Sequence, residues 1–291
     1  MESPTPHRQS ANIWGHTVSY LSAGPADGPP ILLLHGLASD ARTWEPLMSQ
    51  LARRGARVIA PDLLGHGESD KPPLTYDLEA FARSASALVE TLGLRHVTVV
   101  GHSLGGAIAM HLARGFPQFC QRLVLISSGG LGHRVHPVLR AAAVPGTEGV
   151  LALLVNDRMA PVYRARALHK LLRLRPETVA NLGRVGANIG GRERRSVFFE
   201  SLRGAIAPHG QRGSMVELGY LDPDRPTLVI WSEHDPIVPV EHALAVLDGV
   251  PSARVEILSG SSHDPHRRHA ARVGQLIAGF LGLPVEDGPL S

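Results

Sequence analysis

Six short apolar runs, separated by stretches with helical periodicity, are the feature of this sequence that most restricts its fold. The runs are rich in Val, Ile and Leu and occupy residues 31–34, 58–60, 97–100, 123–126, 228–231 and 255–258. Uninterrupted runs of this kind suit strands that are buried on both faces, and their alternation with helices indicates a mostly parallel sheet. Residues 13–21, with Gly15 near their start, predict a hairpin at one edge of that sheet.

The stretches between the runs predict helices. Residues 78–92 carry apolar side chains at i, i+3 and i+4 spacing, with Asp77 as the N-cap and Gly93 as the stop. Residues 104–115 are rich in Ala and Gly, which predicts a helix packed closely on the sheet. A last helix covers residues 275–281 and is expected to begin near Pro265.

Residues 131–221, called the inserted segment below, interrupt this alternation. They show no convincing strand but several helical stretches, at 162–174, 177–189 and 196–206, and they hold 14 basic and six acidic residues. The rest of the chain holds 15 basic and 20 acidic residues. We therefore predict a core domain of residues 1–130 and 222–291, with an all-helical cap of residues 131–221 over the sheet edge where open α/β sheets bind ligands.

Composition excludes several classes of protein. The chain has 291 residues, 43% of them hydrophobic, and a net charge of only +3, so it is not mainly disordered. No apolar run approaches the roughly 18 residues of a membrane span, and the first ten residues lack the apolar stretch of a signal peptide. The single cysteine, Cys120, cannot form an internal disulfide, which favours a reducing, cytoplasmic setting. Because no apolar run is long enough to span a bilayer, no stable membrane insertion is expected. The arginines at 192, 194 and 195 lack interleaved aromatic residues, so a solvated basic surface is favoured over nucleic-acid binding.

A serine stands at the centre of a Gly-x-Ser-x-Gly pattern between the run at 97–100 and the helix predicted at 104–115. The pattern is Gly101-His102-Ser103-Leu104-Gly105. It is typical of a nucleophile on a sharp strand-to-helix turn, where side chains at the two glycines would collide and the serine adopts an unusual backbone conformation. We therefore predict that Ser103 is a nucleophile.

A serine hydroxyl needs a base at neutral pH, and position must select it from 16 histidines. His263 lies between the run at 255–258 and the last helix, so it shares the sheet edge with Ser103 and is the predicted base. His266 and His269 are the alternatives. The three histidines recur at i, i+3 and i+6, but no cluster of carboxylates or cysteines completes a metal site, so no metal is expected.

The base in turn needs a carboxylate to orient it. Asp235 follows the run at 228–231, at the same sheet edge, and is the predicted partner of the histidine. Glu233 and Asp264 are the alternatives; an acid directly after the run at 123–126 is excluded, because positions 127 and 128 are both serine. The resulting chain order of serine, acid and histidine is the order expected for a nucleophile on this kind of turn.

Acyl transfer also requires two donors for the oxyanion. One candidate is the backbone N–H of Leu104, the residue after the nucleophile. The other is the N–H of Leu37 in the loop after the run at 31–34, where Gly36 lets the backbone approach closely. His35 is expected to brace that loop rather than to act as a second base.

Five motifs in this chain together resemble the α/β-hydrolase superfamily. They are LLLHG at 32–36, DLLGHGES at 62–69, GHSLGG at 101–106, DPIVP at 235–239 and SHDPH at 262–266. The resemblance implies a mostly parallel eight-stranded sheet flanked by helices, a helical cap, and a catalytic triad of Ser103, His263 and Asp235. It also implies that the 62–69 motif is a structural loop near the site.

The same resemblance disfavours some groups within the superfamily. Serine at 103 argues against relatives similar to haloalkane dehalogenases and epoxide hydrolases, which use aspartate there. Asp264 stands where relatives similar to meta-cleavage C–C hydrolases usually carry an aromatic residue. The Ser-x-Gly-Gly pattern fits esterase-, lipase- and lactonase-like members equally well.

We therefore expect a serine hydrolase that cleaves a carboxylic ester, thioester or lactone through an acyl-enzyme intermediate. It would act on a small acyl substrate without a metal or organic cofactor, as a monomer or homodimer. The alternatives are acyl transfer, C–C bond hydrolysis or cofactor-free lyase chemistry on the same scaffold, and a ligand receptor that retains the triad. The positive inserted segment suggests, as a further hypothesis, attraction of an anionic acyl or thioester substrate.

Overall fold

The fold is built on one eight-stranded sheet, seen in a computed structural model that describes residues 5–149, 188–260 and 262–284. The strands in chain order are β1 His7–Ile13, β2 His16–Ala23, β3 Pro30–Leu34, β4 Arg57–Pro61, β5 Val97–His102, β6 Cys120–Ile126, β7 Ile206–Ala207, β8 Gly210–Gln211, β9 Thr227–Ser232 and β10 Arg254–Leu258. The sheet has the order β1-β2-β4-β3-β5-β6-β9-β10, and β7 pairs only with β8.

Strand direction agrees with the sequence pattern. Strand β2 is antiparallel to both β1 and β4, and all the other neighbours in the sheet are parallel. All six apolar runs lie inside strands, which confirms the prediction of a mostly parallel sheet. The edge hairpin is also confirmed, with its turn at Trp14 and Gly15, both at positive φ. Its first strand begins earlier than the apolar pattern indicated, because β1 is largely polar and partly exposed.

Helices cover both faces of the sheet. In chain order they are α1 Glu45–Arg53, α2 Leu78–Thr91, α3 Leu104–Gly115, α4 Pro137–Ala142, α5 Arg192–Ala205, α6 Glu241–Gly249, α7 Pro265–Arg268 and α8 Ala270–Leu281. The apolar side chains of α2, α3 and α6 belong to the core on one face, and those of α1 and α8 to the core on the other. Asp77 caps α2 as predicted, accepting a hydrogen bond from the N–H of Ala80 at 2.7 Å.

The last helical region is divided. Helix α7 ends at Arg268 and α8 begins at Ala270, with His269 between them. The start at Pro265 agrees with the expectation from the sequence, but two helices stand where one was predicted. Among the described residues, no helix is both long enough and apolar enough to cross a membrane.

The inserted segment is described only in part. Its helix α5 corresponds to the stretch predicted at 196–206, whereas the stretch at 162–174 and nearly all of 177–189 lie outside the described residues. The prediction of an all-helical segment is wrong, because β7 and β8 form a short antiparallel hairpin. Two paired residues per strand are too few to produce an alternating pattern in the sequence.

The inserted segment is closed at its base by hydrogen bonds to one residue of the core. The carbonyl oxygen of Gly130 accepts from the N–H of Met215 at 2.6 Å. The N–H of Gly130 donates to Oε1 of Gln211, also at 2.6 Å. The next glycine back, Gly129, donates its N–H to the carbonyl of Ser103 at 2.9 Å. Gly130, beside Ser103, therefore joins the start of the inserted segment to residues near its end.

Candidate active site

Ser103 occupies a strained turn between β5 and α3. Its backbone has φ 53° and ψ −118°, a region that L residues other than glycine rarely adopt. A Cβ at Gly101 would overlap the carbonyl oxygen of Gly105, and a Cβ at Gly105 would overlap the carbonyl oxygen of Leu34. Both glycines of the motif are thus required by close backbone packing, and the turn holds the serine side chain at the carboxyl edge of the sheet.

The structure brings Ser103, His263 and Asp235 together in one hydrogen-bonded series. Oγ of Ser103 lies 3.0 Å from Nε2 of His263. Nδ1 of the same ring lies 2.9 Å from Oδ2 and 3.1 Å from Oδ1 of Asp235. The three residues follow β5, β10 and β9, whose parallel direction places their carboxyl ends at one edge. The spacing is the one required for a histidine to accept the serine proton while a carboxylate orients its ring.

The electrostatics of the pair keep Asp235 ionised. Burial opposes ionisation of this fully buried side chain, but the hydrogen bond and charge of His263, together with two backbone hydrogen bonds, lower the pKa of Asp235. Backbone N–H groups of Ile237 and Val238 donate to its Oδ1 at 2.8 and 3.0 Å and act in the same direction. Burial by itself would lower the pKa of His263. The hydrogen bond and charge of Asp235, aided by the charge of Asp264, reverse this effect and raise the pKa.

Backbone N–H groups adjoin the serine on its other side. Leu37 and Leu104 both line the same cavity as Ser103. Neither N–H donates a hydrogen bond to any other of the described residues. A Cβ at Gly36 would lie 3.1 Å from Cβ of Ser103, which explains the glycine that precedes Leu37. The predicted pair of donors is therefore beside the serine, with no internal partner in the described part of the chain.

The alternative residues from the sequence lie elsewhere. Glu233 is 53% exposed, and Asp264 has an oxygen 3.6 Å from Nε2 of His102 instead of contacting His263. His266 is fully buried and bonds through Nε2 to Oγ1 of Thr43 at 3.0 Å. His269 is exposed between α7 and α8. In the described residues, no group of three or more His, Cys, Asp or Glu side chains is arranged to hold a metal ion.

The loop at 62–69 and His35 support the site without reaching the serine. His35 is completely buried; its Nδ1 lies 2.9 Å from the carbonyl of Gly36, and its Nε2 accepts from the N–H of Leu63 at 3.1 Å. The buried carboxylate of Asp62 accepts from the N–H groups of Ala41 and Glu68 and pairs with an arginine of β1, Arg8, at 2.8 Å. These bonds tie the loop after β3 to the loop after β4.

A cavity of about 290 Å³ opens beside Ser103. Its walls are largely apolar and come from the core and from the inserted segment; they include Leu37, Leu104, Ala107, Val135, Leu139, Leu202, Ile206, Met215 and Ile237. Met215, which follows β8 in the inserted segment, contributes its apolar side chain to these walls. Phe198 and Phe199 instead belong to a buried cluster within that segment, with ring centroids 5.2 Å apart.

Two residues near Ser103, His102 and Gln211, are not predicted as site residues from the sequence. His102 donates from Nε2 to the backbone carbonyl of His263 at 2.7 Å. Gln211 joins the inserted segment to the loop beside the serine through Gly130 and the carbonyl of Arg134. His102 could have been noticed as the residue before the nucleophile, whereas nothing in the local sequence distinguishes Gln211.

Comparison with known proteins agrees with this geometry. A family model described as the alpha/beta hydrolase fold matches residues 29–269. This chain belongs to the α/β-hydrolase family. The match spans the sheet from β3 onwards and includes all five residues of the predicted site.

Individual relatives of this α/β hydrolase differ in activity. An uncharacterized protein of Mycobacterium tuberculosis is 34% identical over 280 residues, covering 95% of this chain and 81% of the relative. A 2-hydroxymuconate semialdehyde hydrolase of a Pseudomonas species is 30% identical over 264 residues, covering 87% of each chain. A solved thermophilic esterase superposes with a TM-score of 0.71 at 24% identity, covering 96% of this chain and 98% of the esterase. The family is therefore established, and the two activities named among these proteins are those of a 2-hydroxymuconate semialdehyde hydrolase and an esterase.

Proposed function

We propose that this α/β hydrolase cleaves a carboxylic ester, thioester or lactone through an acyl-enzyme. The observation that carries the proposal is the unbroken series from Ser103 Oγ through the His263 ring to Asp235, with the serine opening onto an apolar cavity. The series supplies a nucleophile, a base and an orienting anion in contact, which is the requirement for acyl transfer to serine.

The mechanism follows from the geometry of these groups. His263 takes the proton of Ser103 as Oγ attacks the acyl carbon, and Asp235 stabilises the imidazolium that forms. The N–H groups of Leu37 and Leu104 stabilise the oxyanion, each contributing about 2.7–4 kcal/mol. His263 then gives its proton to the leaving group, and the acyl-enzyme is hydrolysed by water that the same histidine activates. All of these steps use protein groups and water.

The volume of the cavity and its largely apolar walls support a small or medium acyl group. A volume of about 290 Å³ lies at the low end of ligand pockets, which run from about 300 to 1,000 Å³. Two of its polar residues are engaged in structural bonds, since Asp77 caps α2 and Gln211 bonds to Gly130. The apolar walls would therefore contribute most of the affinity for an acyl chain.

We also propose that residues 131–221 form a cap domain on a core of residues 1–130 and 222–291. Apolar side chains of α4 and α5 make a small buried cluster, and Leu37, Ala38 and Ile237 of the core pack against it. Asn188 adds a hydrogen bond to the carbonyl of Ala38 at 3.0 Å. A cap attached to the loops that carry the proposed oxyanion donor and orienting acid would select substrates by shape.

Replacement of the serine tests the proposal. Ser103→Ala should lower kcat on p-nitrophenyl esters by at least about 10⁴-fold and abolish labelling by a fluorophosphonate. The matched control is Ser252→Ala, an exposed serine whose loss should leave both readouts unchanged. A panel of acyl lengths, lactones and thioesters then ranks the substrates. If Ser103→Ala retained most of the turnover, the acyl-enzyme mechanism would be wrong.

C–C bond hydrolysis is the second candidate, and it rests on the Pseudomonas relative named a 2-hydroxymuconate semialdehyde hydrolase. Asp264 argues against it, because an aromatic residue was expected after the histidine in such enzymes. Parallel assays of 2-hydroxymuconate semialdehyde and of the ester panel separate the two candidates. A higher kcat/KM for the semialdehyde than for every ester would replace the ester proposal with C–C hydrolysis.

A further inference from the structure

A second bond joins the nucleophile turn to the loop of the base. His102, the last residue of β5, lies next to Ser103 in sequence and is only 5% exposed. Its Nε2 lies 2.7 Å from the backbone carbonyl oxygen of His263. Two hydrogen bonds therefore join the turn that carries the serine to His263. One involves the serine hydroxyl and the other the imidazole of His102.

The protonation of His102 agrees with a donor role. Burial, followed by repulsion from His263, lowers the pKa of His102 to about 4. At neutral pH the ring is uncharged and carries a single proton. Because a carbonyl oxygen can only accept, that proton resides on Nε2 and the hydrogen bond runs from His102 to His263.

Packing holds the ring of His102 in place. It packs against the rings of His263 and His266, with centroids 4.9 and 4.3 Å away, and the Trp44 ring lies 6.4 Å away. His266 is itself held by Thr43 on the far side. A Cβ at Gly36 would lie 3.0 Å from Nδ1 of His102, so the backbone of that loop closes the remaining side. The donor therefore has a defined position relative to the serine.

The loop that carries His263 needs such a fixed point. It connects the end of β10 to the start of α7. Among its described residues, Ser262 Oγ accepts from the N–H of Asp264 within the loop, and the carbonyl of Gly260 accepts from the N–H of His234 in the loop after β9. Asp235 fixes the rotation of the His263 ring through Nδ1. The bond from His102 instead fixes the backbone from which that ring projects.

We propose that His102 is a positioning residue that sets the distance between the base and the nucleophile by holding the carbonyl of His263. This inference rests on the proposed function, since it takes His263 as the base for Ser103. A displacement of about 1 Å in such a pair costs about 100-fold in rate. His102 itself touches neither reacting atom, so its effect is on kcat and not on the binding of substrate.

Two substitutions separate the hydrogen bond from the packing. His102→Phe keeps a flat ring against His263 and His266 but removes the donor. His102→Gln places an amide N–H the same number of bonds from Cα as Nε2 and can restore the bond. We expect His102→Phe to lower kcat 10- to 100-fold with KM within twofold, and His102→Gln to stay within about threefold of wild type. Ser252→Ala, the exposed serine used as the control above, should stay within twofold.

A second readout keeps this test separate from the identity of the substrate. The rate at which a fluorophosphonate labels Ser103 depends on the same base, so it should fall in His102→Phe by the same factor as kcat and recover in His102→Gln. If the wild-type protein is labelled but hydrolyses no ester, the proposed function fails while the labelling rates still decide the role of His102. His102→Leu serves in the same comparison if His102→Phe does not fold.

The inference is overturned by either of two results. One is wild-type labelling and kcat in a folded variant that lacks the donor. The other is an equal loss in His102→Phe and His102→Gln, which would assign the effect to packing of the imidazole and not to its hydrogen bond.

Discussion

Buried histidines should make the folded state sensitive to acid. Burial, followed by repulsion from a neighbouring histidine, lowers the pKa of His66 to about 3 and that of His102 to about 4. A histidine in an unfolded chain has a pKa of about 6.5. Because the folded pKa is the lower one, each site takes up a proton on unfolding once the pH falls below 6.5. The stabilisation is therefore complete above pH 6.5 and is lost as the pH falls towards the folded pKa.

The size of the effect follows from these shifts. One proton per site corresponds to about 1.4 kcal/mol per pH unit. Between pH 7 and pH 5 each of the two histidines removes about 2 kcal/mol from the free energy of unfolding, which is large against a typical total of about 5–15 kcal/mol. His35 and His266 are shifted in the same direction, whereas His263 has a raised pKa and offsets part of the loss on acidification.

Urea unfolding from pH 5 to pH 8, followed by the fluorescence of the buried Trp44 and Trp231, measures this dependence. His66→Gln should reduce the slope of unfolding free energy against pH by about 1.4 kcal/mol per unit below pH 6. His209→Gln, in the exposed turn between β7 and β8, is the matched control and should keep the wild-type slope. A His66→Gln protein with the wild-type slope and an unchanged m-value would refute the assignment of this proton to His66.

Three further predictions concern the site. Asp235→Asn should lower kcat by about 10³–10⁴-fold. It should also shift the acid limb of the pH profile of kcat/KM to lower pH, because the Asp235 charge raises the pKa of His263; a limb at the wild-type pH would contradict this. Gly105→Ala should lower the free energy of unfolding by about 2–4 kcal/mol, since the new methyl group overlaps the Leu34 carbonyl; unfolding by urea measures it, and a neutral result would show that the turn can relax. Ser103→Gly should be more stable than Ser103→Ala by about 1 kcal/mol, because only glycine accepts φ 53° and ψ −118° without strain; equal stability would mean that the turn stores no strain.

Most of the sheet and the site could be predicted because the motifs that carry the candidate catalytic residues follow the ends of apolar strands. The motifs around Ser103, Asp235 and His263 each follow an apolar run directly, and parallel strands bring their carboxyl ends to one edge. The sequence favours Asp235 over Glu233 because Asp235 begins the DPIVP motif at 235–239. The structure gives the physical reason: the side chain of Asp235 is fully buried and bonded, whereas that of Glu233 is 53% exposed.

Other features could not be predicted because they depend on contacts between distant residues. Strand β1 is polar and partly exposed, so its pattern does not resemble that of a buried strand. Strands β7 and β8 pair over two residues each, which is too short for periodicity. The bond from His102 to His263 joins residues 161 apart and ends on a backbone carbonyl, an atom that every residue carries. No local residue pattern specifies such a bond.

The closure at Gly130 has a consequence for how proteins of this design can diversify. Gln211 and Met215 both bond to this one residue, so the chain between Gly130 and Gln211 is closed into a loop there. The entropic cost of closing a loop rises only with the logarithm of its length, by about 0.6 kcal/mol for each doubling. Loops of quite different length can therefore be inserted after Gly130 at a small cost in stability, with the strands of the sheet unchanged. Under the proposed role of residues 131–221 as a cap, a change in their length would alter substrate choice while Ser103, His263 and Asp235 keep their positions.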